Sequence, residues 1–157
     1  MRRSDREITD TAEILKIVER CDVCRLALAE NNLPYIVPMN FGYKYQDEKL
    51  TLYFHGASEG RKMELISNNP YAAFEMDCSH KLIESENPCS FTMEFESVIG
   101  NGKIHLCHKH EEKVEALNII MENYVGSRSF SFPKTVVESL AVFKLEVSEF
   151  TAKKLKR

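Results

Sequence analysis

The residues best suited to chemistry lie in the run Tyr53-Phe54-His55-Gly56-Ala57-Ser58-Glu59-Gly60-Arg61-Lys62. An apolar stretch passes through small residues and opens a helix whose first turn carries two adjacent cations. Exposed N–H groups at a helix start favour an anion. Arg61 adds a planar fork and Lys62 a point charge, a combination suited to a terminal phosphate dianion. The same two residues also fit an ordinary solvated helix end. A second run, Pro34-Tyr35-Ile36-Val37-Pro38-Met39-Asn40-Phe41-Gly42-Tyr43, stiffens its backbone at Pro38 and offers the amide of Asn40. A flat heteroaromatic ring needs such backbone and amide groups at its polar edge and apolar side chains on its face. A kinked barrel strand has the same composition. A third run, Ser97-Val98-Ile99-Gly100-Asn101-Gly102, carries two glycines that permit close approach of a ligand or another chain, or a β-bulge at a barrel corner.

The elements that must position these residues follow from periodicity and punctuation. Asp10-Thr11-Ala12-Glu13 has the form of a capping box, and Ile14, Leu15, Ile17 and Val18 recur at helical spacing, so a helix is expected over Thr11–Arg20. Strands are expected over 23–29, 33–45 and 49–55. Pro34 and Pro38 mark the second as an edge or a bent strand, and Leu50, Leu52 and Phe54 alternate in the third. The short helix begun at Ser58-Glu59-Gly60 stops at Asn68-Asn69-Pro70. A strand over 71–77, a polar loop over 80–88, a long strand over 90–106, a helix over 109–124, a strand over 141–147 and a basic tail over 151–157 complete the chain. About six strands and three helices result. They do not alternate strictly, which disfavours a doubly wound parallel sheet and favours a small antiparallel barrel with peripheral helices.

Composition sets the outer bounds. The 157 residues fit one domain over 1–157, with 43% hydrophobic and 29% charged residues. A net charge of −3 argues against nucleic acid as the main partner. No apolar run nears the ~20 residues that span a membrane, and the charged opening Met1-Arg2-Arg3-Ser4-Asp5-Arg6-Glu7 leads into no apolar signal core. A cytoplasmic protein is expected. Its five scattered cysteines do not read as a disulfide framework.

Taken in order, Cys24-Arg25-Leu26-Ala27, Pro34 through Tyr43, Tyr53-Phe54-His55 with Gly60-Arg61-Lys62, and Ser97-Val98-Ile99-Gly100 resemble the pyridoxamine-phosphate-oxidase-like flavin proteins. Within them the chain is most similar to the nitroimidazole-resistance (Nim-type) branch, as is the opening Met1 to Ile8. The resemblance implies a mainly β, six-stranded antiparallel split barrel with peripheral helices, paired as a homodimer with FMN, or alternatively FAD, between protomers. It implies that Arg61 and Lys62 hold the phosphate. Val37, Pro38, Met39 and Asn40 would run along the ring. Phe54, His55 and Gly56 would lie beside the ribityl chain and ring, with Ser97, Val98, Ile99 and Gly100 at the same site. His55 is the one candidate for a direct catalytic role, as proton donor or substrate-orienting group. The implied activity is an FMN-dependent oxidoreductase passing electrons to a small electrophile such as a nitro-aromatic. The alternative is a flavin- or haem-binding barrel without turnover. The chain has no Trp and lacks the Arg-rich, Trp-containing C-terminal segment of true pyridoxamine phosphate oxidases, which argues against the vitamin-B6 reaction.

Two further constellations compete. Cys21-x-x-Cys24 has the spacing of a redox pair or half a zinc site, although a second such pair is absent. His105, Cys107, His108 and His110 crowd a strand-to-helix junction and include types that ligate transition metals or haem. No metal site is assigned.

Overall fold

The computed structural model describes residues 4–156; Met1, Arg2 and Arg3 of the opening segment and Arg157 of the tail lie outside it. The elements in chain order are β1 (Glu7–Ile8), α1 (Thr11–Arg20), β2 (Cys24–Glu30), β3 (Leu33–Met39), β4 (Gly42–Gln46), β5 (Lys49–Ala57), α2 (Arg61–Asn68), β6 (Tyr71–Ile83), β7 (Thr92–Leu106), α3 (His110–Val125), α4 (Lys134–Ser139) and β8 (Leu140–Leu155). The strands form one antiparallel sheet in the order β3-β2-β6-β7-β8-β5-β4, with β1 pairing to β8. Inward residues of β2 through β8, among them Leu26, Met39, Leu52, Phe54, Phe74, Val98, Phe143 and Leu145, belong to a single buried cluster. One face of a sheet encloses one core in this way by coiling on itself, and the edges β3 and β4 stay unjoined. The fold is a split barrel.

Local chemistry accounts for the turns. Asn31 and Asn32 adopt φ of 50° and 64° between β2 and β3, the paired left-handed conformation of a tight hairpin turn, which Asn tolerates. Asp10 caps α1 by accepting from the Ala12 amide at 3.0 Å. Glu13 does not complete the expected box; it forms an ion pair with Lys154 on β8, fastening α1 to the far end of the sheet. α1 buries Ile14, Ile17 and Val18 in the core.

Four expectations change. The strand expected over 33–45 is two, β3 and β4, broken at Asn40 and Phe41. There the Tyr124 hydroxyl of α3 accepts from the Phe41 amide at 3.0 Å and donates to the Asp22 carbonyl at 2.7 Å. With β1 this brings the strand count to eight. β6 continues past a bulge at Cys78/Lys81 to Ile83, into the segment expected as a loop. The expected tail is strand as far as Leu155, because Phe95 to Val98 of β7 pair with Ala152 to Leu155. α4 has no counterpart in the sequence reading: it is six residues long and rests its one buried side chain, Val137, in a second cluster with Cys107, Ala116, Leu117 and Val142. A single buried residue leaves no periodic pattern to detect. The edge position of β3 is as Pro34 and Pro38 require, and the bulge expected near Gly100 and Gly102 lies between Asn101 and Gly102.

Candidate functional site

α2 begins at a glycine that has no side chain with which to cap it. Gly60 occupies the N-cap at φ 104°, in the left-handed region that favours glycine, and makes no side-chain cap bond. The Met63 and Glu64 amides bond back to the Gly60 carbonyl. The earlier amides of the first turn remain for an outside acceptor, the ordinary state of a helix start.

The two cations there are not equivalent. Arg61 turns to the end of β2, where Nη2 lies 2.9 Å from Glu30 Oε2, and Asn68 donates to the other oxygen of Glu30 at 3.3 Å. Lys62 turns to the end of β5. A Cβ added at Gly56 would lie 2.5 Å from Lys62 Nζ and 4.0 Å from the Met39 methyl, so glycine makes room for the ammonium. Nζ stands 5.9 Å from the centroid of the Phe143 ring, which itself stacks on Phe54 at 5.4 Å. Among the described residues Lys62 has no carboxylate partner. Desolvation holds its pKa below the ordinary lysine value, as expected where burial penalises a charge that nothing offsets. His55, exposed on β5 opposite Val142, is held below the ordinary histidine value by desolvation and then by the Lys62 charge.

Three of the expected segments therefore meet: the end of β3 through Met39, the end of β5 through His55 and Gly56, and the start of α2 through Lys62. Val37 packs partly buried against the core, while Pro38 and Asn40 are exposed on and just after the edge strand. An edge strand turns every second N–H and C=O away from its neighbour, and Pro38 has no N–H to turn. Phe54 is fully buried and supports the site from within rather than lining it.

Ser97 to Gly100 do not join this group within one chain. On β8, Gly56 pairs with Ala141 and Gly100 with Phe150. Nine residues at ~3.3 Å each set the two places up to about 30 Å apart along the strand. Val98 is in the core, and a Cβ at Gly100 would meet the Glu149 carbonyl and the Phe74 ring, each at 2.6 Å. Ile99 and Gly100 instead border an apolar cleft of about 620 Å³ on the outer face of the sheet, with Ala27, Ile36, Ala73 and Phe150. Ile36 and Ile99 are 62% and 51% exposed there, large apolar residues facing water on the same patch.

The competing constellations disperse. His105 faces outward, Nε2 3.4 Å from Glu146 Oε2, whereas Cys107 is buried in the second cluster and His110 opens α3. Among the described residues no group of three or more His, Cys, Asp or Glu is arranged to hold a metal ion. Cys21 and Cys24 are both buried free thiols; burial pushes the Cys24 pKa up to about 12 and raises that of Cys21 as well. Sequence reasoning missed Glu30 and Phe143, the partners that separate Arg61 from Lys62. Each lies far along the chain from the cation it touches, and neither carries a local signal.

The family model described as pyridoxamine 5'-phosphate oxidase matches residues 10–154. A candidate 5-nitroimidazole antibiotic resistance protein from Bacteroides thetaiotaomicron is 35% identical, with 94% of this chain and 86% of that one covered and a TM-score of 0.82. The flavocytochrome Anf3 from Azotobacter vinelandii is 19% identical over 100% of this chain and 72% of its own, with a TM-score of 0.82. The FAD and heme binding protein from Mycobacterium smegmatis is 12% identical over 97% and 74%, with a TM-score of 0.84. These last two likenesses are of fold. Comparison with curated proteins gives no match. Among the described residues no helix is long and apolar enough to cross a membrane. A match over nearly the whole chain, a relative above a third identical and the split-barrel sheet agree: the chain belongs to the pyridoxamine 5'-phosphate oxidase family.

Proposed function

We propose that this protein is one flavin-binding split-barrel domain over residues 1–157. It would bind FMN between two copies of itself and act as a Nim-type oxidoreductase on nitro-aromatic or similar small electrophiles in the cytoplasm. The observation that carries the reading is Lys62: a half-buried ammonium with no carboxylate partner among the described residues, beside an uncapped helix start and a glycine that clears space for it. That donor set fits a phosphate. Lys62 and the first amides of α2 hold the phosphate, and Arg61 adds to it in so far as it leaves Glu30. The outward backbone groups of β3 meet the polar edge of the ring. FMN, when bound, supplies the electron chemistry. His55, with its pKa lowered, is neutral at neutral pH and serves as a hydrogen-bonding group that orients a substrate or cofactor oxygen.

The apolar outer cleft supports the pairing. A second copy laid on Ile36, Ile99 and Phe150 would remove that surface from water, and the family resemblance implies that such a pairing would set one protomer's Ser97 to Gly100 at the other's flavin. The test is purification followed by spectroscopy and sedimentation. The expected result is a dimer that carries or takes up FMN, is reduced by a nicotinamide donor, and reoxidises with a nitroimidazole. A protein that takes up no flavin overturns the reading. A monomer that binds FMN fully overturns the shared site.

His55 gives an independent expectation. Desolvation and the Lys62 charge both act against the protonated imidazole. A phosphate at Lys62 offsets the second, so the His55 pKa rises on FMN binding, and binding takes up protons between the free and bound values. NMR titration of His55 is expected to show the upward shift with FMN and not with riboflavin, which has no phosphate. An unmoved His55 separates it from the phosphate site.

A further inference from the structure

The chain crosses the split in the barrel at Asn40 and Phe41. β3 and β4 are opposite edges of the sheet, so these two residues carry the backbone from one edge to the other. Phe41 lies outside both strands and is fully buried. A buried amide needs an acceptor, and the one it finds is a side chain 83 positions away, the Tyr124 hydroxyl at 3.0 Å. The same hydroxyl donates to the Asp22 carbonyl at 2.7 Å. A phenol has one proton to give and lone pairs with which to accept, so both bonds can be made together.

The register shows what this hydroxyl replaces. β2 and β3 pair from Glu30 and Leu33 as far as Cys24 and Met39. Two steps farther in the same register, Asp22 stands opposite Phe41. In a continued antiparallel ladder the Phe41 amide would find its acceptor on that opposite residue. Here both groups bond one phenolic oxygen, which is inserted between them as a wedge. The wedge ends the β2–β3 pairing just past Met39 and lets the chain leave for β4. It is backed firmly, because α3 is seated on the corner: a Cβ at Gly42 would lie 2.5 Å from the Ile119 carbonyl oxygen. The residue freed between the last ladder pair and the wedge is Asn40, which is exposed.

We propose that Tyr124 is a positioning residue for the flavin ring: its hydroxyl, inserted between the Asp22 carbonyl and the Phe41 amide, holds β3 off β2 and so sets Asn40 and the backbone beside it at the polar edge of the ring. The inference rests on the flavin reading given above and adds to it a residue that touches neither ring nor phosphate. Without the hydroxyl, the Asp22 carbonyl and the Phe41 amide either close on each other, which lengthens the ladder and draws Asn40 toward β2, or stay unpaired in a buried place. Both outcomes move Asn40. Neither reaches Lys62, which stands on another element, so ring binding suffers and phosphate binding does not.

The test is Tyr124→Phe in the full chain, titrated with FMN and with riboflavin. The substitution deletes one oxygen and keeps the ring, which is 39% exposed. FMN and riboflavin are both expected to bind about tenfold more weakly, with their affinity ratio unchanged. The visible absorption of the bound flavin is expected to move from its wild-type position. Lys62→Ala is the contrast, since it weakens FMN and spares riboflavin. A lower melting temperature with wild-type affinities and spectrum makes Tyr124 a structural residue and overturns the proposal. So does a loss confined to FMN. Hydrogen exchange in the wild type needs no variant: the Phe41 amide is expected to exchange slowly, and more slowly with riboflavin bound. Exchange at the rate of a free amide removes the wedge. A wild-type protein that takes up neither flavin refutes the flavin reading itself, and this inference with it; a wild type that binds both while Tyr124→Phe is unaltered refutes the inference alone.

Discussion

Lys62→Glu is expected to weaken FMN binding more than a hundredfold while leaving the fold intact. In the wild type the ammonium sits half-buried, with no carboxylate partner among the described residues and the Phe143 ring centroid 5.9 Å away. A charge-assisted bond to phosphate is worth about 1.5–3 kcal/mol net, or roughly ten- to hundredfold in affinity. Removing it alone, as in Lys62→Ala, is expected to cost that much. Reversing the charge adds repulsion where partial burial limits screening by salt. Arg61→Ala is expected to do less, because Glu30 already takes up one face of the guanidinium at 2.9 Å. Fluorescence titration measures the affinities. Riboflavin provides the control, since it lacks the phosphate and its binding should be nearly the same in all these variants. Equal FMN affinity in Lys62→Glu and wild type would remove the phosphate from this helix start.

The second large effect concerns stability. Gly42→Ala is expected to cost about 3 kcal/mol, the upper end for overpacking a closed site, and to lower the melting temperature by about 10 °C for a chain of this size. The added Cβ would lie 2.5 Å from the Ile119 carbonyl oxygen, 2.6 Å from its carbon and 2.7 Å from the Ile120 Cα. All three are backbone atoms of α3, so no side chain can swing aside. Relief requires α3 to lift from β4, which also draws the Tyr124 hydroxyl away from the Phe41 amide. Thermal denaturation checks it. A melting temperature within a degree of wild type would mean that α3 is not docked as described.

Much of the fold was legible because its signals are local. Alternation on β5 and β8, the helical spacing of Ile14, Ile17 and Val18, and the Asn pair at the β2–β3 turn each express a preference of neighbouring residues. The edge placement of β3 follows from the missing donors of Pro34 and Pro38. Where the reading failed, the deciding contact came from elsewhere in the chain. Phe41 leaves the strand because Tyr124 takes its amide, and residues 151–155 are strand because β7 is long enough to pair with them. Glu13 abandons its cap for Lys154.

By itself the sequence determined which residues are able to hold an anion, and that a small helix would present them after an apolar strand. It specified the antiparallel barrel through patterning that each segment carries alone. Only the tertiary structure decided which cation stays free. Arg61 and Lys62 are adjacent in sequence, yet one meets Glu30 and the other clears Gly56, because successive residues of a helix project in directions about 100° apart and face different neighbours. Contacts of this kind depend on where the folded backbone brings distant side chains, and no pattern of near neighbours records that.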